Sequence, residues 1–302
     1  MTFWLSVLVL SFVGNFLLWP LYSNIDIIVP RHDEHPSRLL LLTAHPDDEC
    51  MFFAPTILAV LAQPSPPPKL YSLCLSIGDA GGLGNVRMDE LEKSLDVLGI
   101  ERDRRWVLDH PALKDNITAQ WDAQIVADVL KPYVLRHHIT TILTFDHHGI
   151  SEHPNHVSLP QGAERLISTF RESSETTDPP RLFTLVTVPL QRKYTSLVAP
   201  LTTKAQLVVS AFLQRVIDSS TSILPQLSGK YFDIPSSPII ISGWSEYARA
   251  LRAMRQHRSQ LEWFRWLYVA FSQYMWVNEW VEVVPASAAY TADAASTSDI
   301  SV

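Results

Sequence analysis

The stretch Arg38-Leu39-Leu40-Leu41-Leu42-Thr43-Ala44-His45-Pro46-Asp47-Asp48-Glu49 decides the fold. Its leucine run is too short for a helix and shows no alternation. That is the pattern of a strand buried on both faces, as in a parallel sheet covered by helices. The polar turn that follows carries its side chains just past the carboxyl end of the strand, where open α/β sheets place their ligands.

Outward from this strand the pattern repeats. Cys50 to Gln63 reads as a helix ended by the breaker-rich Pro64-Ser65-Pro66-Pro67-Pro68, and Leu70 to Leu75 reads as the next strand. A helix from Arg87 to Leu98 stops at Gly99, Arg105 to Leu108 is extended, Trp121 to Arg136 is helical, and Thr141 to Phe145 is again a strand. Val157 to Phe170 continues as helix, Leu182 to Val188 as strand, and Ser245 to Trp276 as one aromatic-rich helix; residues 190 to 240 are ambiguous. Alternating β and α units imply an α/β domain with a Rossmann-like, mostly parallel sheet flanked by helices, spanning residues 38 to 282. The Ala/Ser/Thr-rich stretch 283 to 302 is expected to be a disordered tail.

The chemistry sits at two strand ends. His45 and Asp48 are three residues apart in a turn, a spacing that lets an imidazole and a carboxylate converge on one cation. His153-Pro154-Asn155-His156 follows the second of these strands, and either histidine supplies a third donor. Two imidazoles and one carboxylate form a catalytic zinc set with one position open to water. Such an ion activates water as a Lewis acid, while a nearby carboxylate takes the proton and another group stabilises the oxyanion. Asp47 and the remaining histidine suit those two tasks. A single His-Pro-Asp turn is explained equally well by a helix cap with Asp48 accepting backbone N–H groups. Two such motifs at adjacent strand ends favour a metal.

Composition narrows the partners. A formal net charge of −7 offers polyanions no overall attraction, and no local basic patch compensates, so nucleic acid is not expected as a partner. Cys50 and Cys74 are each flanked by apolar residues, as buried thiols in a reduced compartment would be. Residues 1 to 37 read as a membrane anchor and linker. Phe3 to Tyr22 is an uncharged apolar run of about the ~20 residues that cross a bilayer, with Trp4 and Trp19 near its ends. No basic residue precedes this expected transmembrane helix, while Arg31 and Arg38 follow it, which places the domain in the cytosol and leaves the sequon Asn116-Ile117-Thr118 unglycosylated.

These residues resemble the LmbE-like zinc deacetylases, and within them the eukaryotic branch acting on N-acetylglucosaminyl-phosphatidylinositol. The likeness lies in AHPDDE (44 to 49), LSIGDAGGLGNVRMDEL (75 to 91), LGI (98 to 100), Asp115, Trp121, TFDHHGISEHPNH (144 to 156) and HRSQLEWFRWLYVAFSQYMWVNEW (257 to 280). It implies the deacetylase fold, zinc or another divalent metal on His45, Asp48 and His156, Asp47 as general base, and His153 polarising the acetamide carbonyl or protonating the leaving amine. It also implies a glycolipid substrate, N-acetylglucosaminyl-phosphatidylinositol, at the cytosolic face of the endoplasmic reticulum membrane, as the second step of GPI-anchor synthesis. The sequence departs from the family pattern at Asp79, after Gly78, and at Glu152, before His153. Both add negative charge. Arg87, ahead of Arg192, Lys193 and Arg258, is the expected counter-charge for a substrate phosphate, the alternative being a solvated helix-surface arginine. His257 is expected either at the rim of the substrate site or in helix packing.

A nucleotide cofactor is not expected, because Arg87 stands where the third glycine of a dinucleotide fingerprint would be in Gly78-Asp79-Ala80-Gly81-Gly82-Leu83-Gly84. Those glycines instead suit close approach of backbone to a sugar. His147 and His148 read as rim histidines. The competing functions are an LmbE-like deacetylase of another amino sugar and a non-catalytic membrane scaffold that retains the fold.

Overall fold

The computed structural model describes residues 2–30, 36–64, 66–172, 178–221 and 237–284. The expected tail lies outside them from residue 285 onward. One eight-stranded sheet forms from β1 (Leu21–Ser23), β2 (Arg38–Thr43), β3 (Lys69–Cys74), β4 (Arg105–Val107), β5 (Thr141–Phe145), β6 (Arg181–Leu185), β7 (Ile239–Ile241) and β8 (Val277–Glu282), in the order β1-β7-β8-β6-β5-β2-β3-β4. The block β6-β5-β2-β3-β4 is parallel. β8 adds to β6, β7 to β8 and β1 to β7, each antiparallel.

The sheet is therefore mixed, which corrects the expectation of a mostly parallel one. Strands of three residues, such as β1 and β7, carry no readable period. β1 also moves the start of the sheet ahead of residue 38, so the segment expected to be only anchor and linker contributes an edge strand. Arg38, counted above as a topology charge, donates Nη1 to the His137 carbonyl at 3.0 Å and so belongs to the fold.

Leu39 to Leu42 are fully buried, as the leucine run requires. Helix Ala123–His137 packs on Pro154–Glu172, and Trp244–Met254 packs on Gly84–Leu98 and Ala54–Leu61. The expected helix from Cys50 is broken into one turn, Asp48–Met51, and the helix Ala54–Leu61. Pro55, near the start of the second piece, lacks the N–H that a continuous helix would need there. The expected aromatic helix 245 to 276 is likewise divided, into Trp244–Met254, a 3-10 turn at Arg258–Gln260, and Trp263–Phe271. The break lets the His257 ring enter the interior.

The N-terminal apolar run is helical only over Thr2–Leu18. Pro20 has no N–H and disfavours helical geometry at the preceding residue, and the chain turns into β1. Among the described residues no helix is long and apolar enough to cross a membrane, which corrects the expected transmembrane helix through Tyr22. The shorter helix leaves Phe3, Trp4 and Leu8 exposed and packs on helix Val198–Thr221, where Lys204 Nζ donates to the Trp19 carbonyl.

Candidate active site

The turn after β2 and the loop after β5 meet at the carboxyl ends of two neighbouring parallel strands. His45, Asp47, Asp48 and His156 are buried there, and His153 is half-buried. Asp48 Oδ2 accepts from the backbone N–H groups of Ala44, at 3.0 Å, and His45, at 2.9 Å, which folds the turn back on itself. Its Oδ1 lies 3.2 Å from His156 Nε2. Burial works to raise the Asp48 pKa, but the charges and hydrogen bonds of His156 and His45 win and hold it far below the usual carboxylate range. Burial likewise depresses His156, and the Asp48 carboxylate reverses this and raises it.

The hydrogen-bond network constrains which ring nitrogens carry protons. His156 Nδ1 lies 3.1 Å from the Gly149 carbonyl and Nε2 3.2 Å from Asp48 Oδ1, and both partners only accept, so Nδ1 donates to Gly149 while Nε2 faces Asp48 with a proton or with a cation in its place. His45 Nε2 is 3.0 Å from Asn155 Oδ1. Asn155 donates Nδ2 to the Ala119 carbonyl while its Oδ1 accepts the Asn116 N–H, so Oδ1 is an acceptor and His45 carries its proton on Nε2. His45 Nδ1 and His156 Nε2 approach each other to 3.2 Å, with the Asp48 carboxylate alongside. Two imidazole nitrogens and a carboxylate oxygen converge at one buried point, and a divalent cation replacing the proton there would meet a zinc-type donor set, so the residues fit a divalent metal. Ring nitrogens of His45, His153 and His156 come within 4.8 Å of one another, so His153 borders the same point. Asp48 adds a negative charge beside the His45–His156 pair, and His153 is the most exposed of the three rings.

Asp47 stands beside the cluster with φ 117, a conformation rare for any residue but glycine, and Ile150 (φ 62) and Glu152 (φ 57) strain the opposing loop. Asp47 Oδ2 receives no aligned hydrogen bond, although Arg265 Nη2 approaches to 3.0 Å as an ion pair. Burial pushes the Asp47 carboxyl above its ordinary range against the pull of Arg265, and the Asp48 charge adds to the rise. His153 accepts the Asn155 N–H on Nδ1 at 3.2 Å, which leaves its proton on Nε2. Burial and the neighbouring His45 and His156 lower its pKa to about 4, so it is a neutral donor at physiological pH.

Arg87 and His257 serve the scaffold of the site. Arg87 donates to the carbonyls of Gly78 (2.7 Å) and Pro46 (2.8 Å) and pairs with Asp115 at 3.2 Å, tying three loops together. A side chain at Gly78 would collide with this guanidinium, so the glycine makes room for Arg87 rather than for a sugar. His257 is wholly buried and lies 2.7 Å from Glu49 Oε1, away from any rim. Glu49 Oε2 accepts the Asp47 N–H at 3.0 Å, so the Glu49–His257 pair props the strained turn. Lys193 donates to the Ile150 carbonyl and lines a cleft of about 350 Å³ with Glu152 and Thr187, beside the His153 loop. Asp79 Oδ1 caps the Gly84 N–H at 2.7 Å. His147 lies on the surface, bonded to Glu164.

Four contributors were not assigned from the sequence. Asn155 lay inside the HPNH motif and Glu49 inside AHPDDE, and each is a buried polar residue whose partners come from other segments. Asp115, 3.3 Å from His45 Nε2, sits in a loop with no periodic signal. Arg265 was hidden among aromatics, where a lone charge was the available clue.

A mixed α/β sheet with a candidate metal centre and a buried, ion-paired carboxylate at its strand ends is the layout of a candidate hydrolytic site. The family described as "PIG-L: GlcNAc-PI de-N-acetylase" matches residues 40–167. The N-acetylglucosaminyl-phosphatidylinositol de-N-acetylase of Bos taurus is 36% identical over 242 residues, covering 80% of this chain and 82% of the relative. A probable enzyme of the same name from Schizosaccharomyces pombe is 32% identical, covering 78% and 83%. A crystal structure of a deacetylase from teicoplanin biosynthesis shares the fold at 12% identity, with a TM-score of 0.50 over 83% of this chain and all of the other. The chain belongs to the PIG-L family of GlcNAc-PI de-N-acetylases.

Proposed function

We propose that the chain hydrolyses the N-acetyl group of N-acetylglucosaminyl-phosphatidylinositol, giving glucosaminyl-phosphatidylinositol and acetate in GPI-anchor synthesis, at the cytosolic face of the endoplasmic reticulum membrane. Family membership supports the substrate. The observation that carries the chemistry is the convergence of His45 Nδ1 and His156 Nε2 to 3.2 Å with the Asp48 carboxylate beside them.

His45, Asp48 and His156 would hold the metal, and a zinc ion there supplies Lewis acidity toward water and the amide carbonyl. Asp47 accepts the proton of the attacking water, for which its raised pKa and an Oδ2 free of aligned hydrogen bonds suit it. His153 presents Nε2–H to the carbonyl oxygen and stabilises the charge that develops there. As the C–N bond breaks, the proton held on Asp47 passes to the departing amine nitrogen. Arg87 and the Glu49–His257 pair hold the Asp47 turn in register throughout.

The test is incubation of the purified chain with N-acetylglucosaminyl-phosphatidylinositol in detergent, with the amine product followed by mass spectrometry. Amine and acetate should appear in equal amounts, vanish on chelation and return with zinc. Tightly bound glycolipid left intact would favour the scaffold reading, and turnover of soluble N-acetylglucosamine derivatives alone would move the substrate to another amino sugar.

A further inference from the structure

The helix Trp263–Phe271 has its faces inverted relative to an ordinary surface helix. Trp263, Phe264, Leu267 and Phe271 fall at i, i+1, i+4 and i+8, a single stripe, and are exposed by 73%, 50%, 50% and 50%. A solvated helix turns its charges to that side. Here the one charged residue, Arg265, turns inward and its guanidinium meets Asp47. The helix thus carries an apolar outer face immediately behind the site.

Neighbouring elements also expose apolar side chains. Ser196 donates its N–H and its hydroxyl to the carbonyls of Phe271 and Ala270, which fastens the start of helix Val198–Thr221 to the end of helix Trp263–Phe271. Helix Val198–Thr221 exposes Val208, Val209 and Phe212 and packs on the uncharged helix Thr2–Leu18. Three helices from distant parts of the chain thus each expose large apolar side chains, more than isolated surface side chains account for. Basic residues stand at both ends of the 263–271 helix. Exposed Arg255 and Arg258 precede it, with the Arg255 guanidinium 5.8 Å from the Trp266 ring, and exposed Arg192 lies close to Ser196 in sequence.

We propose that the helix Trp263–Phe271 lies on a lipid bilayer, its Trp263/Phe264/Leu267/Phe271 stripe in the acyl boundary and its flanking arginines on anionic headgroups, so that the active site is held one helix away from the membrane surface. An uncharged aromatic stripe rimmed by arginine is the pattern of an in-plane interfacial helix and complements an anionic lipid surface. The proposal rests on the glycolipid reading of the substrate, because a lipid-anchored sugar reaches the site most directly when Asp47 and the bilayer are separated by one helix.

The test places an environment-sensitive fluorophore on Phe264→Cys in the full chain, where the natural Cys50 and Cys74 are buried, and on Glu101→Cys as a remote control. Vesicles of phosphatidylcholine and phosphatidylinositol should shift the Phe264→Cys label to the blue and brominated lipid should quench it, with neither effect at residue 101. An unchanged label overturns the proposal, as does a shift that needs no vesicles and grows with protein concentration, which means a second copy covers the face. In parallel, the Phe264→Ser/Leu267→Ser variant should lose about 10-fold or more of its turnover on vesicle-embedded glycolipid while cleaving an acyl-free soluble analogue normally. Equal loss on both substrates means a packing role and overturns the proposal. Absence of turnover by the unaltered chain on either substrate would sink the deacetylase reading instead, and the label would still decide the docking.

Discussion

The parallel strands β2 and β5 end in loops whose ionisable side chains are buried and engaged with one another, whereas the antiparallel edge β1, β7 and β8 adjoins helices that turn large apolar side chains outward. The two regions solve different problems. A hydrolytic site needs donors held in fixed tautomers where electrostatic interactions are little screened, and the strand ends supply this through Asn155, Gly149 and Glu49. The edge needs only to close the sheet and present a surface. Strain is accepted at Asp47 and Ile150, inside the first region, because surrounding hydrogen bonds hold it.

If this division is right, substitutions should grow milder from the strand ends outward. His156→Ala deletes a ligand and should abolish bound metal in chelator-free protein by elemental analysis, with turnover falling to background. Asp47→Ala should keep the metal yet lower kcat by roughly 10²–10⁴-fold, the contribution of a general base; near-normal turnover would remove Asp47 from that role. His257→Ala leaves the Glu49 carboxylate buried without its cation and should lower stability by about 3–5 kcal/mol in denaturant titration. Adding Glu49→Gln should recover part of that loss, since the orphaned charge is then gone. At the edge, Arg181 pairs with Glu282 across β6 and β8 with both side chains about a third exposed. Arg181→Ala should cost only about 0–1 kcal/mol, read from a small decrease in Tm.

The same contrast explains what the sequence disclosed. The leucine run of β2, the β5 strand and the histidine and aspartate motifs behind them were legible, because strands buried on both faces and turns rich in donors leave strong local patterns. The edge left almost none. β1 and β7 have three residues each, and β1 begins at the end of the apolar run that reads as a membrane span, just after Pro20. The continuous aromatic pattern of 245 to 276 concealed a break, since nothing in local periodicity announces that His257 must reach Glu49, 208 positions away in sequence. Arg87 was found, but its acceptors on Gly78 and Pro46 depend on tertiary contact, so its part in holding the loops together could not be read from one helix start.

The central claim is that one divalent metal lies between β2 and β5. Anomalous diffraction at the zinc edge, from crystals of the chain grown with zinc, tests it directly. A single peak bounded by His45 Nδ1, His156 Nε2 and Asp48 is the expected result. A peak instead at the buried Glu49, Cys50 and His257 cluster, or none at all with the site intact, would contradict the account.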